Sequence, residues 1–554
     1  MRAVRIVLGL LFVLVGLLVT VAGAVAGFWL VGPDDTVETG EQQLSSKGLA
    51  VVTVPHVLDR HGPTLHVTAS AADRRPVFVG VGSDLDVTSY LTGSLHGRVV
   101  GLSLPVRLET DSVQGASTPL SAPDSLDWWV VKSSGAGSRS ITWPMTDGRY
   151  GVVVMNADGK AEVDASVNLG VELDGAFETA LFVLGGGLAL VVSGLALILL
   201  GRGRPRRPAQ LGPDRARSGP APGSEVRGSA VRRVSAIASA AAALLVMAGC
   251  VAVPEVNTGR SMSRQAVTPE AGVAVIKHYN EVNNQANRAR DGKLSETIEA
   301  DSVLDSTLAG FAVDRALDPV DRVKAEPFVY VVLKIGAPQF DAYPMRFVAT
   351  SGVSTDKTVR HLGVWQRRDA GSPWLMTYSA YPSAGTPLPS LDGLRSPTKA
   401  DWNRLAVPPK SASEALAQYF GDGPKSAKAA AFSASVDTTR FLAEHAKEKL
   451  QDTNRPYISA VSDTFRIARD PLMFVTGSGE ALVFVTLTNR YVEQIKRGSS
   501  AWWATGEVLA FSNKIRFTEA LTQDVQYQVA FVIPPKGRIR ILSVDGQLVD
   551  AGGY

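Results

Sequence analysis

Three histidines at intervals of five, His56, His61 and His66, stand with Asp59 as the nearest approach in this chain to a metal-binding set. Imidazole nitrogens and a carboxylate are ordinary ligands for a divalent transition metal. A spacing of five, however, sends successive side chains to opposite faces of a strand, and Gly62-Pro63 interrupts any continuous one. They therefore read as surface or core histidines. Asp84 and Asp86 offer two carboxylates to a cation, in a stretch that reads as a solvated loop. His278 and Glu281 are spaced i,i+3 and can share one face of a helix, which makes them the pocket candidates of the chain. Beside Lys277 they also describe a wet helix face, and a general base requires geometry before chemistry. His361 and His445 have no recognisable partners. Gly421-Asp422-Gly423-Pro424-Lys425-Ser426 is no phosphate loop, because Pro separates Gly from Lys and the upstream Gly is missing. HExxH, GxSxG and EF-hand patterns do not occur. No catalytic, cofactor-binding or metal-binding residue is assigned, no cofactor is expected, and an enzyme is the less favoured reading.

The single cysteine, Cys250, excludes an intramolecular disulfide framework and a four-thiolate metal site. Arg227, Arg232 and Arg233 precede an Ala-rich apolar run, Val234–Met247, which leads into Leu245-Val246-Met247-Ala248-Gly249-Cys250. This order resembles a bacterial lipoprotein signal. The resemblance implies lipidation at Cys250, with cleavage making that residue a new N-terminus. Two departures stand against it: Met247 occupies the position usually held by Leu, and such signals normally begin a protein. The internal position implies a two-span membrane protein fused to a lipoprotein. The other reading is a plain third span over 234–253.

The elements that position these residues begin with membrane segments. Ile6–Val31 is 26 residues without a charge, where about 20 suffice to cross a bilayer. Ala180–Gly201 is followed at once by Arg202, Arg204, Arg206 and Arg207. With Arg2 and Arg5 at the start, the positive-inside rule predicts an inner N-terminus, an inner loop and outer flanking regions in a plasma-membrane protein. Gly185, Ala189 and Ser193 form a small-residue ridge and Gly23 and Gly27 a GxxxG pair, although glycine and alanine are common in membrane helices anyway. Charge follows the same plan. Residues 33–176 hold 10 Lys/Arg against 18 Asp/Glu, and residues 202–233 hold 9 Arg against 2 acids. That distribution reads as topology and excludes nucleic acid as the expected partner. The expected partners are the lipid bilayer and an envelope protein or cell-wall component.

The organisation expected is a membrane helix (1–32), a β-rich outer domain (33–176), a second helix (177–201) and a disordered Arg-rich inner loop (202–233). Then follow the third segment or internal signal (234–253), a tether (254–267), an α+β domain (268–383), a Pro-rich linker (384–410) and a second α+β domain (411–554). In 33–176, short runs such as Leu49–Val54, Thr64–Ala69, Val77–Val81, Trp128–Lys132, Tyr150–Met155 and Val163–Val171 predict an antiparallel sandwich. Trp128 and Trp129 are expected on opposite faces of a strand. Asn156-Ala157-Asp158-Gly159 predicts a tight turn. The runs Val77–Gly82, Tyr90–Gly93, Ile141–Trp143 and Val152–Gly159, followed by a membrane helix, resemble an actinobacterial family of two-span membrane proteins over residues 1–205. That resemblance implies topology and no particular activity.

In the last region, Thr268-Pro269-Glu270 predicts a helix start, with Val275, Ile276, Tyr279 and Val282 as its apolar stripe. Strands are expected at Phe328–Ile335, Met345–Thr350, Leu362–Arg367 and Trp374–Tyr381. The pattern begins again at Ser411-Ala412-Ser413-Glu414, a capping-box match. A helix follows at Thr438–Leu450, then strands at Met473–Val475, Ala481–Leu487, Trp502–Ser512, Gln526–Ile533 and Ile539–Val544. Helices followed by a meander, twice over, resemble tandem nuclear-transport-factor-2-like (NTF2-like) cones, and the region is similar to actinobacterial lipoprotein-type outer domains. The fold class expected is thus a multidomain membrane protein: transmembrane helices, an all-β sandwich-like outer domain and two tandem α+β cones. The function expected is a non-catalytic, membrane-anchored binding or assembly protein of the envelope. The alternatives are a small-ligand carrier or enzyme using a cone pocket, and a regulatory membrane protein acting through its inner loop.

Overall fold

The computed structural model describes residues 2–55, 63–103, 107–201, 263–503, 506–512 and 516–554. His56, Asp59, His61, Cys250, the Arg-rich loop 202–233 and the segment 234–253 lie outside the described residues. The chain divides into two compact units, Met1–Ser261 and Met262–Tyr554.

In the first unit, helix α1 (Arg2–Val25) continues through a wider turn over Ala26–Val31. Ala3–Val31 and Ala176–Gly201 are both long and apolar enough to cross a membrane. They pack together through glycines. A Cβ on Gly9 would lie 2.7 Å from the Gly194 carbonyl oxygen, and one on Gly16 would lie 2.8 Å from that of Gly187. Gly23 meets the Leu184 backbone, whereas Gly185 has open space around it. The seam therefore runs through Gly9, Gly16 and Gly23 at intervals of seven, against Gly187 and Gly194, and not along the Gly185-Ala189-Ser193 ridge. A seven-residue repeat keeps one seam facing a neighbouring helix.

Between these helices the chain makes β1 (Thr36–Glu38), β2 (Gln42–Ser46), β3 (Ala50–Thr53), β4 (Thr64–Ala71) and β5 (Val77–Ser83), then helix α2 (Asp84–Leu91). β6 (His96–Ser103), β7 (Arg107–Val113), β8 (Val131–Gly135), β9 (Arg139–Pro144), β10 (Tyr150–Asn156) and β11 (Val163–Glu172) follow, ahead of α3 (Ala176–Gly201). One sheet has the order β1-β11-β4-β9 with β2 also on β11, and the other has the order β7-β6-β3-β10-β5-β8. Both sheets contribute to a shared apolar interior, lined by Leu44, Leu65 and Val167 from one and Val51, Val99 and Val152 from the other. The turn at 156–159 forms as expected, with the Gly159 amide donating to the Asn156 carbonyl at 3.0 Å and Gly159 at φ +71°. Trp128 and Trp129 do not alternate across a strand. They precede β8, are both buried, and lie against one another with ring centroids 4.0 Å apart. Gly80 and Gly82 on β5 leave the room: a Cβ there would approach Trp129 to 3.0 Å and Trp128 to 2.6 Å.

The second unit opens with β12 (Arg264–Gln265), α4 (Pro269–Ala289) and α5 (Asp301–Leu317). β13 (Tyr330–Gly336), β14 (Gln339–Phe340), β15 (Met345–Val353), β16 (Arg360–Arg367) and β17 (Leu375–Ala380) come next. After the Pro-rich stretch come α6 (Pro409–Asp422), α7 (Val436–Thr453), β18 (Ile458–Ile467), β19 (Leu472–Val475), β20 (Ala481–Ile495), β21 (Ala520–Ile533) and β22 (Arg540–Gly553). One sheet runs β13-β15-β16-β17 and the other β18-β20-β21-β22, with β19 added on β20. The two sheets share a core, in which Val348, Leu362, Val364 and Ala380 meet Leu482, Phe484, Ala530 and Val532. Residues of opposite parity on the second sheet, Val483, Val485 and Phe531, pack against Leu416, Phe420 and Leu442 of α6 and α7. Strand β20 is thus apolar on both faces, which explains its continuous apolar run.

Thr268 caps α4 as expected, accepting from the Ala271 amide at 3.2 Å. Two expectations fail locally. Helix α6 starts at Pro409 and not at Ser411, because Pro at the first turn supplies no amide that would need a cap, and Ser413 donates back to the Pro409 carbonyl. Within Trp502–Ser512 the described residues hold a 3-10 turn, Glu507–Ala510, in place of a strand.

Candidate functional site

The second unit holds a cavity of about 420 Å³. Helices α4 and α5 form two of its sides, and the start of β13, the end of β17 and the middle of β21 and β22 form the others. Helix α4 turns three side chains to it, Tyr279, Asn283 and Asn287, at i, i+4 and i+8. The neighbouring face carries Asn280 and Asn284, which pair with the backbone of the incoming edge strand. Asn280 accepts from the Tyr330 amide at 3.0 Å and donates to its carbonyl at 3.1 Å. Asn284 does the same for Phe328, at 3.0 and 2.7 Å. Two side-chain amides thus stand in for a neighbouring strand, occupy an otherwise open edge and hold Tyr330 and Phe328 on the cavity wall.

Glu299 is the central group. It is buried, and its Oε1 accepts the Tyr279 hydroxyl at 2.6 Å, while its Oε2 has no close hydrogen-bonding partner among the described residues. Burial pushes the Glu299 carboxyl above its ordinary range, against the opposing effects of the Tyr279 hydroxyl and, more weakly, the Thr307 hydroxyl. Tyr279 is held well above its usual value, by burial and then by the adjacent Glu299. Opposite, the Tyr330 and Tyr381 hydroxyls are 2.6 Å apart. Behind Tyr330 lies His361, stacked on it at 3.8 Å, with its Nε2 3.2 Å from the Ser379 hydroxyl and its Nδ1 unpartnered. Burial lowers His361 to about 3, so the ring is neutral at physiological pH. Asp545, raised by burial, accepts from the Tyr381 amide at 3.0 Å and the Ser543 hydroxyl at 2.6 Å. Ser379 donates its amide to Gln528 at 2.9 Å. Carboxyls from Glu299, Asp314 and Asp545 line the space, and among the described residues no Lys, Arg or His does.

Residues 263–553, more than half of the chain, match the family described as a domain of unknown function, DUF8094. The chain belongs to the DUF8094 family. No curated protein and no solved structure matches it.

The DUF8094 cavity does not include His278 or Glu281. Both are exposed, on the side of α4 turned from the wall. Tyr279, read from sequence as part of an apolar stripe, supplies the polar contact. In the first unit, His66 pairs with Glu172 at 2.8 Å and meets the Thr142 hydroxyl at 3.2 Å. Asp84 and Asp86 sit in the first turn of α2 and not in a loop: Asp84 pairs with Arg149 at 3.0 Å, and buried Asp86 accepts the Ser83 hydroxyl at 2.7 Å. No group of three or more potential metal ligands occurs among the described residues. Elsewhere in the DUF8094 domain His445 does have a partner, buried Asp463, with its Nε2 at 2.7 Å. No spacing signal joins these two, because α7 and β18 meet only in the fold.

Proposed function

We propose that this is a membrane-anchored envelope protein whose DUF8094 domain binds a small, uncharged or cationic, hydroxyl-bearing molecule. The observation that carries this reading is the buried Glu299 carboxyl on the cavity wall, with one oxygen held by Tyr279 and the other without a close hydrogen-bonding partner among the described residues, Thr307 being the nearest hydroxyl to act on it. Buried polar groups without partners are rare and costly, and a site that keeps one is prepared for a ligand. Among the described residues no cationic side chain lines the wall, which disfavours phosphates and carboxylates. The amides of Asn283, Asn287 and Gln528 provide paired donors and acceptors suited to hydroxyl groups. Two apolar helices, with Arg2 and Arg5 at the start of the first and Arg202, Arg204, Arg206 and Arg207 after the second, support an inner N-terminus and an inner 202–233 loop, and a further crossing at 234–253, as a third span or an internal signal, would put the DUF8094 domain outside. Lipidation at Cys250, where it occurs, would give that domain its own anchor. The order of helices before an antiparallel meander in each half is consistent with an NTF2-like ancestry.

The test is calorimetric titration of the full chain in detergent with glucose, N-acetylglucosamine and glucosamine, and with glucose 6-phosphate as the anionic counter-probe. Saturable binding of one of the first three, weakened at least ten-fold in Glu299→Gln with Asn283→Ala, is expected. Binding of the phosphate alone, or no binding at all, overturns the reading.

A further inference from the structure

The charge of the Glu299 cavity is a property separate from its hydroxyl-binding amides. Three carboxyls line it, Glu299 just ahead of α5, Asp314 on α5 and Asp545 on β22. Asp545 has its own provision. It accepts from the Tyr381 amide and the Ser543 hydroxyl, and Arg440 of α7 offsets its charge from outside the wall. Asp314 is exposed to water. Glu299 has neither advantage. It is 2% exposed, and the Tyr279 and Thr307 hydroxyls favour its charge, while no cation among the described residues acts on it. Its Oε2 is an acceptor on the wall without a close donor. Buried carboxylates are ordinarily paired with a cation, and here the side chains that line the space supply none.

The rest of the wall narrows what that cation can be. Tyr279, Phe311, Phe328, Tyr330 and Tyr381 line the space. Phe328 and Tyr330 meet at 69° with ring centroids 5.3 Å apart, so these rings form a corner and not a flat stack. Aromatic faces attract organic cations through their quadrupoles and are poor ligands for a metal ion. The carboxyls do not converge on a metal either: no group of three or more potential ligands occurs among the described residues. An acceptor such as Oε2 calls for an N–H, which a primary ammonium carries and a quaternary one lacks. Resting on the reading of this cavity as a hydroxyl-binding site, we infer that its ligand is a protonated primary amine, an amino sugar or a comparable amino alcohol, with the ammonium donating to Glu299 Oε2 between the aromatic rings and the hydroxyls held by Asn283 and Asn287. Attraction from Asp314 and Asp545 adds to the preference for charge. Exchanging the amine for a hydroxyl removes that charge at nearly constant size, and acylating it removes the charge and adds bulk.

The experiment is calorimetric titration of the full chain in detergent at neutral pH, where the glucosamine amine is mostly protonated, with glucosamine, glucose and N-acetylglucosamine as probes. Glucosamine should bind at least about five-fold more tightly than either neutral sugar. A smaller preference, with the sugars still bound, overturns the amine and leaves the hydroxyl reading standing. No binding of any of the three overturns both. Glu299→Gln keeps an acceptor of the same shape and removes the charge, and should reduce the preference for glucosamine over glucose to below about two-fold. Asp314→Asn, at an exposed side chain, should reduce it about two-fold, which keeps the test valid if Glu299→Gln fails to fold. A preference unchanged in both variants overturns the inference.

Discussion

Two cavities of this molecule are built in opposite ways. The one in the first unit, about 130 Å³, lies between two sheets and is walled by valines, leucines and Met145, with threonines its polar residues. The one in the DUF8094 domain, about 420 Å³, is walled by tyrosines, amides and three carboxyls. The first is ordinary imperfect packing between β-sheets, where a dry gap costs lost contacts and nothing more. The second holds groups whose burial is unfavourable, Glu299 Oε2 among them. Stability alone selects against the second kind of cavity, so its persistence points to use.

The comparison breaks most sharply if a charge is tolerated in the first cavity. Val167 is 2% exposed on β11 and lines that space. Val167→Asp places a carboxylate where the surroundings offer little polar contact. It should cost about 4 kcal/mol or more and unfold the first unit, as followed by chemical denaturation of the full chain. A loss below about 1 kcal/mol would mean that water already enters, and that the two cavities differ less than their linings imply.

The next effect concerns how the polar cavity is held. Asn280→Ala with Asn284→Ala removes four hydrogen bonds to the edge at Phe328 and Tyr330. The double change should cost about 2–4 kcal/mol and weaken binding in the cavity, because both rings lose their anchor. Unchanged stability in a denaturant titration would assign the wall to other contacts.

These asparagines also show what the sequence makes legible. The helix start at Thr268-Pro269 and the turn at Asn156–Gly159 can be read directly, because caps and tight turns are local chemistry. Asparagine at 280, 283, 284 and 287, inside a helix where it is a poor former, was an available signal that these positions do more than face solvent. The pairing of Tyr279 with Glu299, and of His445 with Asp463, was not legible, since each joins elements whose contact depends on the whole fold. Strand β18 escaped notice for a related reason. Its inner face mixes Asp463 with Phe465, so the apolar alternation that marks a strand is interrupted by the carboxylate that pairs with His445.

A smaller effect separates buried charge that is paired from buried charge that is not. Glu493 is 1% exposed, with one oxygen on Arg455 at 2.8 Å and Oε1 unpartnered. Burial, followed by repulsion from Asp452, raises it to about 7 from an ordinary 4.5, against the pull of Arg455. A folded value above the unfolded one favours folding at low pH. The contribution is full below about 4.5 and is lost as pH climbs through about 7. Glu493→Gln should flatten the stability profile across that window, by about 2–5 °C in melting temperature. An unaltered profile would mean that Arg455 compensates Glu493 throughout.

The smallest expected change in stability is the most informative about the polar cavity. Glu299→Gln keeps an acceptor for the Tyr279 hydroxyl and removes the group whose ionisation burial opposes. The raised Glu299 carboxyl loses its stabilising contribution as pH rises from the ordinary carboxylate range through its higher folded value, so the variant should match wild type at the acid end and gain on it slightly, by about 1 kcal/mol or less, as pH rises. Ligand binding should fall over the same range. A polar group whose replacement leaves folding intact while abolishing binding is maintained for the ligand. If Glu299→Gln instead costs more than about 2 kcal/mol by denaturant titration, Glu299 belongs with the structural contacts, such as the Ser302–Thr486 hydroxyl pair at 2.5 Å. The contrast between the two cavities would then be one of composition and not of purpose.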